Sequence, residues 1–537
     1  MRRPGSEEGS LVRERVVSAV WGLVATVASA GLVTLAFPPF DLAPIAWVGL
    51  APLLVAVRGG GVARAVWLGL LWSEVYFFLL IDSMPPGVAE YFERGALASW
   101  GLAAGLFVAN GGLYYAAGLA AYRWLAGHYR LSLPLLAGAA WCAAELGRGR
   151  LLNDVSMPLN MPMGLVAYSQ VTWKPVIQIA SLSGPYGVSF LVVAVNAALA
   201  ESWLALRGRS GVGVRNAALG SAVVFVLALA AVVYGSNVLR AADTGSAGRS
   251  AVPVVVVQGD LELGSRWKPE FYGRNLDRYL QLTLTAFQLV KPRVVFWPEA
   301  ALTFDVTDAP PFRELIGRVL APAGSQLVAG GPRGGAPGDY YNSVFSLSPS
   351  GDVLAHYDKQ FLFPLAEYAP IGAPDPAERD FGDFRYWTPG TVTSPLPTAA
   401  GAAGVLVCSE AMFPEVAAQR VRAGADYLFS PANDGWGRRS WTPWPKWGRL
   451  MLDMAVFRAV EQRRPLVRAS TTGPSALVDA WGRVDAQTDT GGARVLVGAI
   501  EPRSGRTPYA RVGDLFAVLC AASVLGAALL PLARFRR

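Results

Sequence analysis

Eight stretches of this chain are apolar over roughly the length of a membrane span, and a long polar interval separates the last from the others. They run from Val16 to Phe37, Leu42 to Val57, Val62 to Ile81, Ala96 to Leu119, Leu131 to Leu146, Tyr186 to Leu206, Ala217 to Leu239, and Val512 to Leu532. A hydrocarbon core about 30 Å thick needs roughly 20 helical residues to cross it. The pattern therefore predicts a multi-pass α-helical membrane bundle of about eight spans. The second and fifth runs are short, and are read as tilted, re-entrant or merely buried.

The polar interval has a different rhythm. Val252 to Asp260 is dominated by valine, the pattern of a fully buried strand. Phe271 to Val290 reads as a helix leading into a strand that ends at Pro298-Glu299. A helix near Phe312 to Leu320 follows, then a strand at Gln326 to Gly330 and a hairpin pair around Tyr340 to Ser348 and Val353 to Tyr357. Ala403 to Val407 is another apolar strand, followed by a helix at Glu415 to Ala423 and a strand at Tyr427 to Ser430. Alternation of this kind predicts a layered α/β sandwich. The expected organisation is a bundle over residues 1–240, a linker at Arg240 to Gly245, an extramembrane domain over 250–502, and a last span with a basic tail over 511–537.

Composition agrees with a membrane protein, since 53% of the 537 residues are hydrophobic and only 16% charged. Arginines mark every second loop: Arg2, Arg3, Arg13 and Arg15, then Arg58 and Arg64, Arg123 and Arg130, Arg207, Arg209 and Arg215, and finally Arg534, Arg536 and Arg537. Such a bias places both termini in the cytoplasm and the polar interval on the outer face. The net charge of +8 follows from these arginines, so a nucleic-acid partner is not expected. The first span lacks a convincing cleavage signature and is read as a retained anchor. Glu74 and Glu145 interrupt apolar stretches, as functional groups or as carboxylates paired near span ends. Leu151 to Pro185, with Met157, Met161, Met163 and Trp173, reads as an interfacial element touching lipid or as a cover for the bundle.

Three strand ends carry chemistry. Cys408 follows the strand ending at Val407, Glu299 follows Val294-Val295-Phe296-Trp297-Pro298, and Lys359 follows His356-Tyr357-Asp358. Taken singly, each has a bland explanation: a small buried hydrophobe, a solvated loop carboxylate, a surface lysine; the functional reading of Glu299 is a carboxylate whose aromatic surroundings raise its pKa towards that of a useful base. Jointly they supply a nucleophile, a base able to take its proton, and a cation able to stabilise an oxyanion. Two histidines and three cysteines in all give no zinc pattern and no disulfide framework, Cys142 and Cys520 read as packing residues, and no metal or cofactor is expected.

Glu, Lys and Cys in this order, each closing a strand, resemble the catalytic triad of the carbon-nitrogen hydrolase (nitrilase) superfamily. That resemblance implies an α-β-β-α sandwich, with Glu299 as general base, Lys359 and backbone N–H groups after Cys408 at the oxyanion, and Cys408 as nucleophile. Further phrases narrow it to the apolipoprotein N-acyltransferase family: Val257 to Asp260 with Trp267 downstream, Phe363 to Pro370, Asn433 to Trp436, Glu461 to Pro465, and Thr507 to Arg511 before the last span. The family pattern implies supporting roles for Glu367, Glu410 and Ser409, and lipid or substrate contacts for Trp267, Asn433 and Trp436. It also implies ping-pong acyl transfer from a phospholipid, with phosphatidylethanolamine the expected donor, to diacylglyceryl apolipoproteins in the bacterial inner membrane; a monomer is the default expectation. Two departures stand out: Ser409 where members often carry an aromatic residue, and Ser470-Thr471-Thr472-Gly473 in place of an Asn-Gly variant. Phe361 to Pro370 and Trp436 to Trp447 are the expected mobile, aromatic loops around an apolar mouth. The competing readings are a membrane-tethered hydrolase of a small C–N substrate and a transport or structural protein with an inert domain.

Overall fold

The computed structural model describes residues 5–91, 95–151, 160–209, 211, 213–245, 250–261, 269–364, 366–368 and 386–534. Every apolar run forms helix. Among the described residues, five helices are long and apolar enough to cross a membrane, at Val16–Thr34, Val62–Leu80, Ala96–Leu125, Ala180–Leu206 and Val214–Thr244, while Ala43–Arg58 and Leu515–Pro531 are shorter. The fifth run is the helix Leu133–Arg150, whose later turns carry Glu145, Arg148 and Arg150.

The second run breaks between Ala46–Gly49 and Ala51–Arg58, where Pro52 lies near the start of the latter helix and cannot donate. Buried Asn196 repairs the break. Its Oδ1 accepts from the backbone N–H groups of Leu50 and Ala51, at 2.8 and 2.9 Å, while its Nδ2 donates to Ala46 O. Freed backbone groups in an apolar bundle must find such partners. A second polar tie joins Arg58 to Glu201 at 2.7 Å, and Tyr122 donates to the same carboxylate. The last long helix runs through Gly245, so the segment expected as a linker is helical; its Asp243 pairs with Arg483 of the α/β domain at 2.7 Å.

Among the described residues that domain contains two six-stranded sheets. Its strands are β1 (Val252–Gln258), β2 (Val294–Phe296), β3 (Gln326–Gly334), β4 (Tyr340–Leu347), β5 (Val353–Asp358), β6 (Leu396–Thr398), β7 (Gly401–Val405), β8 (Tyr427–Ala432), β9 (Leu466–Ser470), β10 (Ala476–Val478), β11 (Val484–Gln487) and β12 (Arg494–Ile500). One sheet has the order β12-β1-β2-β3-β4-β5, the other β11-β10-β9-β8-β7-β6. Each has three parallel strands at its centre, β1-β2-β3 and β7-β8-β9, with antiparallel neighbours outside.

Side-chain alternation builds the layers. Val254, Val256 and Phe296 of one sheet meet Val405, Val407, Phe429 and Val467 from the other in a shared core. The alternate positions Val255, Val257, Val295 and Trp297 face helices Tyr272–Phe287 and Pro310–Leu320. On the far side, helices Pro414–Arg422 and Trp447–Gln462 cover the second sheet, giving the α-β-β-α order. The helix Trp447–Gln462 also packs on the bundle: its Met451, Met454 and Phe457, with Met412 and Phe413 of the cysteine turn, belong to the same hydrophobic cluster as Phe37, Leu80, Met163 and Tyr168.

Candidate active site

The three sequence candidates meet at strand ends. Glu299 follows β2, Lys359 follows β5, and Cys408 follows β7 from the opposing sheet. Lys359 Nζ lies 3.9 Å from Glu299 Oε1 and 2.7 Å from Glu367 Oε2, and all three side chains are buried. Burial pushes the Cys408 thiol well above the ordinary range; Glu299 pushes it further up and Lys359 pulls it down. For Lys359 burial favours the neutral amine, but the carboxylates of Glu367 and Glu299, with Cys408, hold its pKa above the usual lysine range. At neutral pH the site therefore holds an ammonium and a protonated thiol, so the thiol needs a base to react.

Local backbone strain marks Cys408 and the residue after Glu299. β7 stops at Val405, before the expected strand end, and Cys408 opens a one-turn helix, Cys408–Met412, with φ of 49°. A left-handed conformation costs a non-glycine residue about 1–3 kcal/mol and persists only where the surroundings enforce it. Ala300, immediately after Glu299, has φ of 53°. Opposite it, a Cβ on Gly330 would sit 2.7 Å from Glu299 Cα, so only glycine lets β3 approach this closely.

Glu410 is the device that holds the cysteine turn. Its Oε1 accepts from Tyr357 OH at 2.7 Å, Gln360 N–H at 2.9 Å and Phe361 N–H at 3.2 Å, and its Oε2 accepts from Val407 N–H at 2.8 Å. One fully buried carboxylate thus ties the segments carrying Lys359 and Cys408 together. Arg420 stands 3.8 Å from it and also donates to Gln360 Oε1 at 2.7 Å and to the Tyr357 hydroxyl. Ser409 is buried too, its hydroxyl donating to Phe361 O at 3.3 Å.

Asn342 is a functional candidate the sequence did not suggest. Its Nδ2 donates to Glu299 Oε1 at 2.7 Å and to Glu367 Oε1 at 3.0 Å, bridging the two carboxylates. Glu367 also accepts from Phe363 N–H at 2.6 Å. An asparagine inside an aromatic hairpin strand gives no pattern by which to find it. Asn433, expected to contact lipid or substrate, stands beside the base: its backbone N–H donates to Glu299 Oε2 at 2.8 Å. Glu299 is thus surrounded by donors, where aromatic rings were expected. Within the divergent Ser470 to Gly473 segment, Thr471 Oγ1 donates to Glu299 O at 3.3 Å and Ser470 Oγ to Asp434 Oδ2 at 2.6 Å. Trp267 and the side chain of Trp436 lie outside the described residues.

Around the site the expected mouth is partly visible. Of Phe361 to Pro370, residues 365, 369 and 370 lie outside the described residues. The second expected loop is anchored on the bundle. Lys446 Nζ sits 2.8 Å from buried Asp82, Thr442 Oγ1 donates to the same carboxylate, and Trp441 Nε1 donates to Phe78 O at 3.0 Å. Trp441 faces Trp100 and Trp444 faces Phe40, with centroids 5.7 and 5.4 Å apart, whereas Trp447 is buried. Met161, Met163 and Tyr168 are likewise buried beneath the α/β domain, so this part of Leu151 to Pro185 covers the bundle and does not reach lipid. A small apolar cavity at that junction is lined by Phe37, Leu80, Met163, Tyr168, Trp447 and Met454, among others.

A helical membrane bundle carrying a two-sheet domain with a buried Glu-Lys-Cys cluster defines the class: a membrane-embedded protein of the carbon-nitrogen hydrolase type. Residues 257–509 match the carbon-nitrogen hydrolase family and residues 29–198 match the apolipoprotein N-acyltransferase N-terminal domain. Apolipoprotein N-acyltransferase from Geobacter metallireducens is 32% identical over 95% of this chain and 95% of its own length. The enzyme of that name from Caulobacter vibrioides is 31% identical over 92% of each. The chain belongs to the apolipoprotein N-acyltransferase family. Among solved structures, a carbon-nitrogen hydrolase from Helicobacter pylori G27 covers 47% of this chain and 89% of its own, at 19% identity and a TM-score of 0.37.

Proposed function

We propose that this protein transfers an acyl chain from the sn-1 position of a phospholipid, phosphatidylethanolamine in the first instance, to the N-terminal α-amine of diacylglyceryl-cysteine apolipoproteins. The observation that carries the reading is the convergence of Glu299, Lys359 and Cys408 in a buried site beside a membrane bundle. Glu299 takes the Cys408 proton, and the thiolate attacks the ester carbonyl. The Lys359 ammonium and the Ser409 N–H stabilise the oxyanion, since Glu410 N–H already donates to Val407 O at 3.0 Å. Collapse breaks the C–O bond; the leaving alkoxide takes the proton from Glu299 and departs as lysophospholipid, leaving a thioester. In the second half the substrate amine attacks that thioester, Glu299 accepts an amine proton, and the C–S bond breaks to give the amide and, after proton return, the free thiol. Glu367 and Asn342 hold Lys359 and Glu299 throughout and need not exchange protons.

The reading places the α/β domain on the periplasmic face of the inner membrane, in keeping with the arginine-rich alternate loops, and treats the monomer as the working unit. Residues 1–240, 250–502 and 511–537 are its bundle, catalytic domain and closing span. Both substrates carry acyl chains held in the bilayer, which accounts for joining this catalytic domain to a bundle. A membrane-tethered hydrolase would have no use for that arrangement.

A phospholipid with a fluorescent sn-1 chain, supplied with and without a diacylated lipopeptide, tests the proposal. Label should appear on Cys408 without peptide and move into an amide when peptide is added. Release of free fatty acid independent of peptide would mean a hydrolase. Persistence of label on a Cys408→Ala variant would refute the nucleophile assignment.

A further inference from the structure

The turn that carries Cys408 has a second holder besides Glu410. Arg458, fully buried on helix Trp447–Gln462, donates from Nη1 to the carbonyl oxygens of Ala411 and Met412 at 3.2 and 3.1 Å. These are the closing residues of the one-turn helix that Cys408 opens. Its Nη2 is bound by Glu461 on the same helix and donates, at 3.3 Å, to the hydroxyl of Tyr168. Tyr168 belongs to the membrane portion; its ring packs edge-on against Phe457, with centroids 5.1 Å apart. One guanidinium thus joins the bundle to the backbone of the nucleophile turn.

Only arginine suits the position. Four acceptors surround the planar group, and its separate N–H donors reach them at once, whereas a lysine presents a single point charge. The cation also meets carbonyls at the C-terminal end of a helical turn, where positive charge is favoured. A left-handed cysteine persists only under enforcement from its surroundings. Glu410 supplies that enforcement from the domain's own loops, and Arg458 from the side facing the bundle.

We propose that Arg458 is a positioning residue that fixes the aim of the Cys408 thiol, and that Tyr168 makes this aim depend on how the catalytic domain is seated on the membrane bundle. The consequence for acyl transfer rests on the function proposed above; the consequence for the thiol does not. Neither residue touches substrate. Loss of either should slow the step at Cys408 and leave donor binding alone.

The test uses the full chain in phospholipid-containing micelles, as wild type, Arg458→Lys and Tyr168→Phe. Thioester formation from labelled phospholipid is measured in single turnover over a range of donor concentrations. Iodoacetamide modification of Cys408 is followed separately by mass spectrometry of its peptide. Arg458→Lys should lower the maximal thioester rate about tenfold and Tyr168→Phe several-fold, each with the donor KM within about twofold, and both should change the alkylation rate in the same rank order. Tyr168→Phe removes one oxygen and keeps the ring, so it decides the matter even where Arg458→Lys fails to fold. Alkylation and thioester rates of Tyr168→Phe within twofold of wild type, or a change in KM alone, overturn the proposal. A wild type that alkylates but never takes an acyl group overturns the acyltransferase reading and leaves the alkylation comparison to judge Arg458.

Discussion

Cys408 combines two costs, a left-handed backbone and a thiol buried where ionisation is disfavoured. The second has a measurable pH signature. A free thiol titrates near 9.0, whereas the folded protein holds this proton to higher pH. Between those values the unfolded chain has released a proton that the native state keeps, so stability falls as pH rises above about 9, by up to about 1.4 kcal/mol per pH unit. Cys408→Ala should remove that decline, and the difference between wild-type and variant melting temperatures measured from pH 7 to 10 checks it. Asn342 invites a second substitution. Asn342→Ala deletes the amide shared by Glu299 and Glu367, leaving two buried carboxylate oxygens each short of a donor at about 1–3 kcal/mol. Thioester formation should fall about 10- to 100-fold, as read by single-turnover kinetics, with the fold retained by circular dichroism.

Helices and loops show where sequence patterns stopped being informative. The valine-rich strand β1, the helix Tyr272–Phe287 and the hairpin of β4 and β5 follow the expected boundaries closely, because period and turn chemistry are local. The loop before Trp447 was expected to be mobile because it is aromatic and polar, yet its tryptophans and Lys446 find partners in the bundle more than three hundred residues earlier in the chain. No local pattern carries that information. Lys446→Met should leave Asp82 buried and uncompensated, costing about 3–5 kcal/mol. A lower melting temperature and faster proteolytic nicking between Arg438 and Lys446 are the expected readouts. On the helix Trp447–Gln462, Arg458 and Glu461 stand i to i+3, the spacing at which helical side chains of opposite charge meet, but that spacing does not say that the pair is buried.

Bundle and catalytic domain are not beads on a string. Residues of helices Pro414–Arg422 and Trp447–Gln462 share one hydrophobic cluster with the membrane helices. At its edge Arg150 joins Glu415 at 3.2 Å and Asp514 at 2.6 Å, fastening the bundle, the catalytic domain and the last helix together. A fragment of residues 250–502 would expose Met451, Met454 and Phe457, which the bundle now covers. Such a fragment should self-associate, eluting early in size-exclusion chromatography and binding a hydrophobic dye, while the full chain in detergent does neither.

Apolar run lengths and strand periodicity are properties of neighbouring residues, and they were enough to divide the chain into bundle and sandwich and to bring out Glu299, Lys359 and Cys408 as strand-end residues. Which groups support them depends on contacts between segments far apart in the chain. Asn342 beneath two carboxylates, Asn433 offering its backbone, Arg458 behind the cysteine and Tyr168 behind Arg458 all act through such contacts. Hydrogen bonds of that kind leave no periodic trace, because their partners are set by how the two sheets and the bundle pack.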